Sequence, residues 1–64
     1  MNRIKIILQS QGRSQKWLSE KLGKSYNMVN AYVQNRRQPR LEVLRKIADI
    51  LEVDIQDLIL SNNE

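Results

Sequence analysis

The sequence predicts a single all-α domain built from five helices, and three observations lead to this prediction. The chain has 64 residues, which is enough for one hydrophobic core close to the smallest that folds alone. Apolar residues recur at helical spacing in successive segments, and no segment shows the alternation of a half-buried strand. Capping residues precede these segments, and Gly12, Gly23 and Pro39 follow the first three, so the boundaries can be placed.

The first helix is predicted over residues 2–10. Asn2 is its candidate N-cap, and the helix is expected to end before Gly12. Three apolar residues at the i, i+3 and i+4 spacing give it one buried face, which consists of Ile4, Ile7 and Leu8.

The second and third helices are short and are separated by a tight turn. Ser14 is the candidate N-cap of the second helix, and Gly23 follows its end, where a positive φ is required. Ser25 is the candidate N-cap of the third helix, which is expected to stop near Asn35 because Asn tolerates the left-handed conformation. Their apolar faces consist of Trp17, Leu18 and Leu22, and of Val29, Tyr32 and Val33. Two short helices joined through a glycine turn form a helix-turn-helix pattern.

The last two helices follow a basic loop that Pro39 closes. Asp54 is the candidate N-cap of a short fifth helix, with Asp57 three residues on, and this helix is expected to extend to about Leu60. The fourth helix carries an apolar stripe that is expected to cover the first three helices and that consists of Leu41, Leu44, Ile47, Ala48 and Leu51. The domain is therefore predicted over residues 1–60, and residues 61–64 are expected to fray.

Composition narrows the classes of function. The sequence contains no His and no Cys, which removes the commonest general base, the best nucleophile, the commonest metal ligands and any disulfide. The carboxylates stand at positions explained as helix surface or caps. We therefore expect that the protein is not an enzyme and has no cofactor, no metal site and no small-molecule ligand.

Hydropathy argues against a membrane protein. The longest apolar run covers only residues 6–8, far short of a membrane span, and no signal-peptide pattern is present. Residues 2–10 could form a basic amphipathic helix on an anionic membrane, but their apolar residues are needed by the core. The sequence predicts a cytoplasmic protein with no membrane partner.

Charge is distributed unevenly along the chain. Up to Arg40 there are nine basic residues against Glu20 alone, a net charge of +8, whereas from Leu41 onward two basic residues stand against six acidic ones, a net charge of −4. A polyanion is attracted to the first part and repelled by the second, as expected of a protein that lays one face on phosphates.

From residue 14 to residue 58 the sequence resembles the lambda-repressor/Cro-like helix-turn-helix family, often called the Xre family. The resemblance implies a compact five-helix lambda-repressor-like DNA-binding domain that acts as a transcriptional regulator, either a repressor or a small controller protein. It rests on residues that match in order and spacing, namely Ser14-Gln15, Leu18-Ser19, Leu22-Gly23, Ser25, Val29, Tyr32, Pro39, Leu44, Ile47-Ala48, Leu51 and Leu58.

Four positions depart from the family pattern. Asn35 replaces the usual Gly but keeps the required backbone freedom, and Val33 stands where an acidic residue is common. Arg40 replaces the usual Ser or Thr cap of the fourth helix, and Arg13 replaces an apolar residue. The two arginines add positive charge near the expected DNA face and predict a poorly capped fourth helix.

The resemblance implies how double-stranded DNA would be bound. The third helix enters the major groove with its N-terminal residues toward the base edges, while the second helix lies across the backbone. Asn27 is the first candidate among the base readers because Asn can pair bidentately with adenine. The candidate base readers are Tyr26, Asn27, Asn30, Met28 and Ala31.

Phosphate contacts are expected at the start of the second helix and in the basic loop. The candidates are Gln15, Arg13, Lys16, Lys24, Arg36, Arg37 and Arg40. Trp17 also lies among basic residues, but a single aromatic is too few for a single-strand stacking surface, so it is interpreted as partly buried packing.

The resemblance also implies a homodimer that reads two half-sites. A candidate dimer interface consists of apolar residues that exceed the needs of the core, namely Ile50, Ile55, Ile59 and Leu60, although these residues could instead complete the core. An alternative function uses the same surface, as an antitoxin-like or other protein-interaction module without DNA affinity.

Overall fold

The computed structural model describes residues 1–59, and this part of the chain is all-helical, as predicted. The helix bounds are α1 Ile4–Gln11, α2 Gln15–Leu22, α3 Tyr26–Val33, α4 Leu41–Leu51 and a 3₁₀ helix Ile55–Leu58. Within residues 1–59 there is no strand, and one isolated antiparallel bridge joins Asn2 to Ile59. The predicted tail, 61–64, lies outside the described residues.

All five elements contribute to one core. Apolar burial drives the assembly, because each large side chain removed from water contributes roughly 1.5–3 kcal/mol. The side chains that are almost fully buried come from every helix and are Ile4, Leu18, Val29, Val33, Ile47, Leu51 and Leu58. The predicted helical faces are confirmed at these positions.

The two helices of the helix-turn-helix are capped as the sequence predicts. Ser14 Oγ accepts a hydrogen bond from the backbone N–H of Trp17 at 3.0 Å. Ser25 Oγ accepts one from the backbone N–H of Met28 at 3.1 Å. Gly23, between the two helices, has φ of 73°, a conformation in which a Cβ would be strained. The caps and the glycine fix the angle at which α3 leaves α2.

The N-terminal prediction needs correction. Asn2 is not the N-cap, and α1 begins at Ile4 and ends at Gln11 rather than at residue 10. The reason is that Asn2 has a different set of partners, because its Nδ2 donates to the Tyr32 carbonyl at 2.9 Å while its Oδ1 accepts from the Ile4 N–H at 3.1 Å. Asn2 is consequently buried and joins α1 to the end of α3.

The prediction for the fourth helix is wrong at its first residue. Leu41 is 60% exposed, whereas the rest of the predicted stripe is buried. Leu41 lies in the first turn of α4 and at the edge of the stripe, so the packed face begins at Leu44. Arg40 precedes the helix and makes no side-chain cap, as expected from the missing Ser or Thr.

The fifth helix is a 3₁₀ helix that ends at Leu58 rather than an α-helix to Leu60. Its N-cap is Asp54, as predicted, and the Asp54 N–H donates to Asp57 Oδ2 at 3.1 Å. The chain then becomes extended at Ile59, where it pairs with Asn2, and the Arg3 N–H donates to the Leu58 carbonyl at 2.9 Å. This pairing ends the helix early. Leu60 itself lies outside the described residues.

Candidate nucleic-acid interface

The outer face of α3 is defined by the face that α3 buries. Val29, Tyr32 and Val33 are buried, and at about 100° per residue the direction opposite to them falls on Asn27 and Ala31. Asn27 is exposed, and Ala31 is half-buried. Asn27 therefore stands at the centre of the face that α3 presents to solvent.

Tyr26 and Met28 flank that centre on opposite sides. Tyr26, the first residue of α3, is 51% exposed. Met28 is half-buried, packs against the core and lines a cleft beside α4 together with Val43. Of the five predicted base readers, Met28 is the one that the fold turns toward α4.

Asn30 links three elements through its side-chain amide. Its Nδ2 donates to Gln15 Oε1, at the start of α2, over 2.8 Å. Its Oδ1 accepts from Arg36 Nη2, in the loop after α3, over 2.6 Å. Gln15 and Arg36, both predicted phosphate contacts, are thus joined through a residue predicted to read bases. We call these three residues the Gln15–Asn30–Arg36 chain.

Two clefts with basic linings flank α3. The first, of about 210 Å³, lies near the start of α2 and is lined by Lys5, Leu8, Gln9, Arg13, Ser14, Gln15 and Val33. The second, of about 290 Å³, lies between the end of α3 and the start of α4, and its cations are Lys24, Arg37 and Arg40. Five of the seven predicted phosphate contacts therefore line clefts on the two sides of one helix.

Lys5 was missed by the sequence analysis, and Lys16 has a different setting. Lys5 belongs to α1, for which the sequence predicts only a structural role, but it lines the first cleft beside Arg13. One sequence feature could have indicated Lys5: it lies on the polar face of an amphipathic helix, two turns before Gly12. Lys16 is exposed on α2 and lines neither cleft.

Arg13 stacks on Trp17. The guanidinium carbon lies 4.2 Å from the centroid of the indole ring, which is a cation–π geometry. Trp17 is half-buried and packs against the core, which agrees with the prediction of partly buried packing. The stack holds Arg13 at the mouth of the first cleft, with the edge of its guanidinium available for hydrogen bonds.

The loop after α3 is held by Asn35 and Asn2. Asn35 has φ of 61°, which is the left-handed conformation predicted for it, and α3 itself ends at Val33. Gln38 accepts from Asn2 Nδ2 at 3.0 Å, and its own amide donates to Asn35 Oδ1 at 3.1 Å. The role of Asn2 and Gln38 is not predictable from local sequence patterns, because their pairing spans 36 positions.

The predicted dimer residues divide into two groups. Ile50 and Ile55 are half-buried and pack against the core, which agrees with the alternative that they complete the core, while their place in a dimer interface stays a prediction. Ile59 is 45% exposed, and Leu60 lies outside the described residues. Ile6, which is not among the predicted interface residues, is 50% exposed on α1.

Residues 1–59 contain no group of three or more acidic side chains placed to hold a metal ion. In the same part of the chain, every helix is too short or too polar to span a bilayer.

The capped α2, the glycine turn and α3 with its solvent-facing polar edge define a helix-turn-helix domain. The model of the helix-turn-helix family matches residues 4–58, and the chain belongs to this family, in its lambda-repressor/Cro-like (Xre) form. Among solved structures it is similar to a crystal structure of a candidate DNA-binding protein from Bacteroides fragilis, with 41% identity and a TM-score of 0.89. That alignment covers 91% of this chain and 94% of the other. The search of curated proteins gave no match.

Proposed function

We propose that the protein is a sequence-specific, double-stranded DNA-binding transcriptional regulator that inserts α3 into the major groove. One observation carries the proposal: the exposed polar edge of α3, centred on Asn27, is flanked on both sides by basic clefts. The similar candidate DNA-binding protein from Bacteroides fragilis supports the same function. The proposed activity is binding without catalysis.

The dimensions of DNA fit this arrangement. The major groove is about 12 Å wide and admits one α-helix, with a phosphate backbone on each side. With α3 in the groove, the cleft that contains Lys5 and Arg13 faces one backbone, and the cleft that contains Arg37 and Arg40 faces the other. Basic side chains on both sides would fix the register of the helix, while base contacts supply specificity.

Base contacts are assigned to the outermost residues of α3. Asn27 would pair with adenine through both groups of its amide, and Ala31 would meet a thymine methyl group. Tyr26, at the leading end of the helix, is exposed and can reach a base edge or a phosphate. This assignment leaves Met28 at the margin of the interface, because it faces α4.

We further propose that a cytoplasmic homodimer, acting as a repressor or small controller, reads two half-sites about 34 Å apart. The proposed dimer surface is formed by Ile50, Ile55, Ile59 and Leu60. The exposure of Ile59, a large apolar residue at the acidic end of the chain, supports it.

Selection of bound sequences from a random duplex pool tests the proposal. The expected result is an enriched inverted repeat, bound in preference to a scrambled duplex of the same composition. Asn27→Ala should change the enriched base at one position of each half-site. Equal binding of all duplexes would contradict sequence-specific regulation, and capture of a protein partner without any duplex affinity would favour the interaction-module alternative.

A further inference from the structure

The Gln15–Asn30–Arg36 chain allows an inference that rests on the proposed function and refines it. We propose that Asn30 is a positioning residue for phosphate contacts rather than a base reader. In this role its amide orients Gln15 and Arg36 so that both present hydrogen-bond donors to the DNA backbone. The proposal differs from the sequence prediction, which grouped Asn30 with Asn27.

Arg36 determines which way the Asn30 amide is turned. A guanidinium carries only donors, so the atom of Asn30 that it meets at 2.6 Å must be the oxygen. The Asn30 nitrogen then faces Gln15, and the atom that it meets there at 2.8 Å must in turn be an oxygen. The orientation of both amides follows from the presence of one arginine.

The consequence concerns what remains for DNA. Gln15 Oε1 and Asn30 Oδ1 are the two side-chain acceptors of the Gln15–Asn30–Arg36 chain, and each already accepts one internal hydrogen bond. Gln15 Nε2 and the other N–H groups of the Arg36 guanidinium are all donors. Phosphate oxygens are acceptors only, so the Gln15–Asn30–Arg36 chain presents the hydrogen-bond donors that a DNA backbone requires.

The same bonds make Asn30 a poor base reader. Bidentate pairing with adenine needs both the donor and the acceptor of an Asn amide, and both groups of Asn30 are already bonded within the protein. Asn30 is also half-buried, whereas Asn27 is exposed and lies closer to the centre of the outer face. Base reading by Asn30 would have to use the one N–H and the one lone pair that remain, on an amide whose orientation the two internal hydrogen bonds fix.

The test compares Asn30→Ala with Asn27→Ala on a preferred duplex and on a scrambled one. Asn30→Ala is expected to weaken binding to both duplexes by about the same factor, roughly tenfold, and to leave the selected sequence unchanged. Asn27→Ala is the control and should change the selected sequence. Because Asn30 acts through its neighbours, the double variant Asn30→Ala/Gln15→Ala should bind less than tenfold worse than Gln15→Ala alone.

Several outcomes separate this inference from the proposed function. A change in the selected base with Asn30→Ala would overturn the positioning role while leaving the proposed function intact, as would fully additive effects in the double variant. Absence of duplex binding by the unmodified protein would overturn both. Asn30→Ser is a second variant with a smaller change in packing. Thermal unfolding of every variant shows whether weaker binding results from loss of the folded protein.

Discussion

The backbone N–H of Asn2 donates to Asn35 Oδ1 at 2.8 Å, and Asn35 Nδ2 donates back to the Asn2 carbonyl at 3.3 Å. This reciprocal pair of hydrogen bonds connects the N-terminal segment to Asn35, the residue after α3 that adopts the left-handed conformation. Since the basic residues Arg36 and Arg37 follow immediately, the pair also sets where that loop leaves the domain. A contact directly beside the proposed DNA surface thereby contributes to the geometry of that surface.

Replacement of Asn2 tests this connection. Asn2→Ala removes side-chain bonds to Ile4, Tyr32 and Gln38, and it leaves the Asn35 N–H as the remaining donor to the Tyr32 carbonyl. We expect a decrease of about 1–3 kcal/mol in the free energy of unfolding, measured by urea denaturation. The matched control is Gln38→Ala, an exposed residue, which should cost less than about 1 kcal/mol. Equal effects of the two changes would contradict a central role for Asn2.

Glu52 offers a stabilising substitution. This residue follows α4 with φ of 56°, a left-handed conformation that glycine adopts without strain, and its charge lies at the negative end of a helix dipole. Glu52→Gly is expected to raise the free energy of unfolding by about 1 kcal/mol. Glu52→Gln removes the charge alone and should give only part of the gain. A destabilised glycine variant would show that the Glu52 side chain has a stabilising partner.

The stack of Arg13 on Trp17 should appear as an energetic coupling. A double-mutant cycle with Arg13→Ala and Trp17→Leu is expected to give an interaction energy of about 0.5–1 kcal/mol in thermal or urea unfolding. Trp17→Phe keeps a ring beneath the guanidinium and should keep most of the coupling. Additive effects in the cycle would mean that the 4.2 Å contact contributes nothing to stability.

Arg36 and Arg37 should contribute to binding in a sequence-independent way. Replacing either with Ala is expected to lower affinity for preferred and scrambled duplexes alike, because both are assigned to phosphates. The dependence of log affinity on log salt should become shallower by about 0.9 for each phosphate that the variant no longer neutralises. An unchanged salt slope in both variants would exclude phosphate contacts by this loop. Arg45→Ala, on the exposed side of α4, is the control and should leave the slope unaltered.

The proposed dimer surface can be tested at two positions that differ in burial. Ile59→Lys places a charge at an exposed site and should give folded monomers by sedimentation. Ile55→Lys places a charge at a site packed against the core, so it is expected to destabilise the fold as well. A dimer that survives Ile59→Lys would move the interface elsewhere, for example to the exposed Ile6 on α1.

The number and order of the helices could be predicted because they depend on local patterns. Ser14, Gly23 and Ser25 act within a few residues, so spacing alone located the helix-turn-helix. Local patterns give the wrong structure where a distant partner overrides a local preference. Asn2 is of a residue type that is favoured at N-caps, but its side chain bonds to Tyr32. The fifth helix ends early because Ile59 pairs with Asn2.

The site was predicted less completely, for a related reason. Exposure and charge identified Asn27 and the basic loop, but the sequence contains no sign that Asn30 meets Gln15 and Arg36, which lie 15 and 6 positions away. Side chains that share one helix face were therefore assigned one role. The two clefts also depend on how α1 and α4 pack on either side of α3, which spacing along the chain does not determine.

The uneven charge of the molecule has a kinetic consequence. With a net charge of +8 up to residue 40 and −4 beyond it, the protein carries a permanent electric dipole. In the field of a polyanion this dipole produces a torque that turns the basic side forward before contact, so a larger share of collisions begins in a productive orientation. The torque is strongest at low ionic strength, where dissolved salt screens the charges least. Near physiological salt, screening over about 8 Å is short compared with the 32 Å length of the molecule, so orientation is restricted to the last stage of approach.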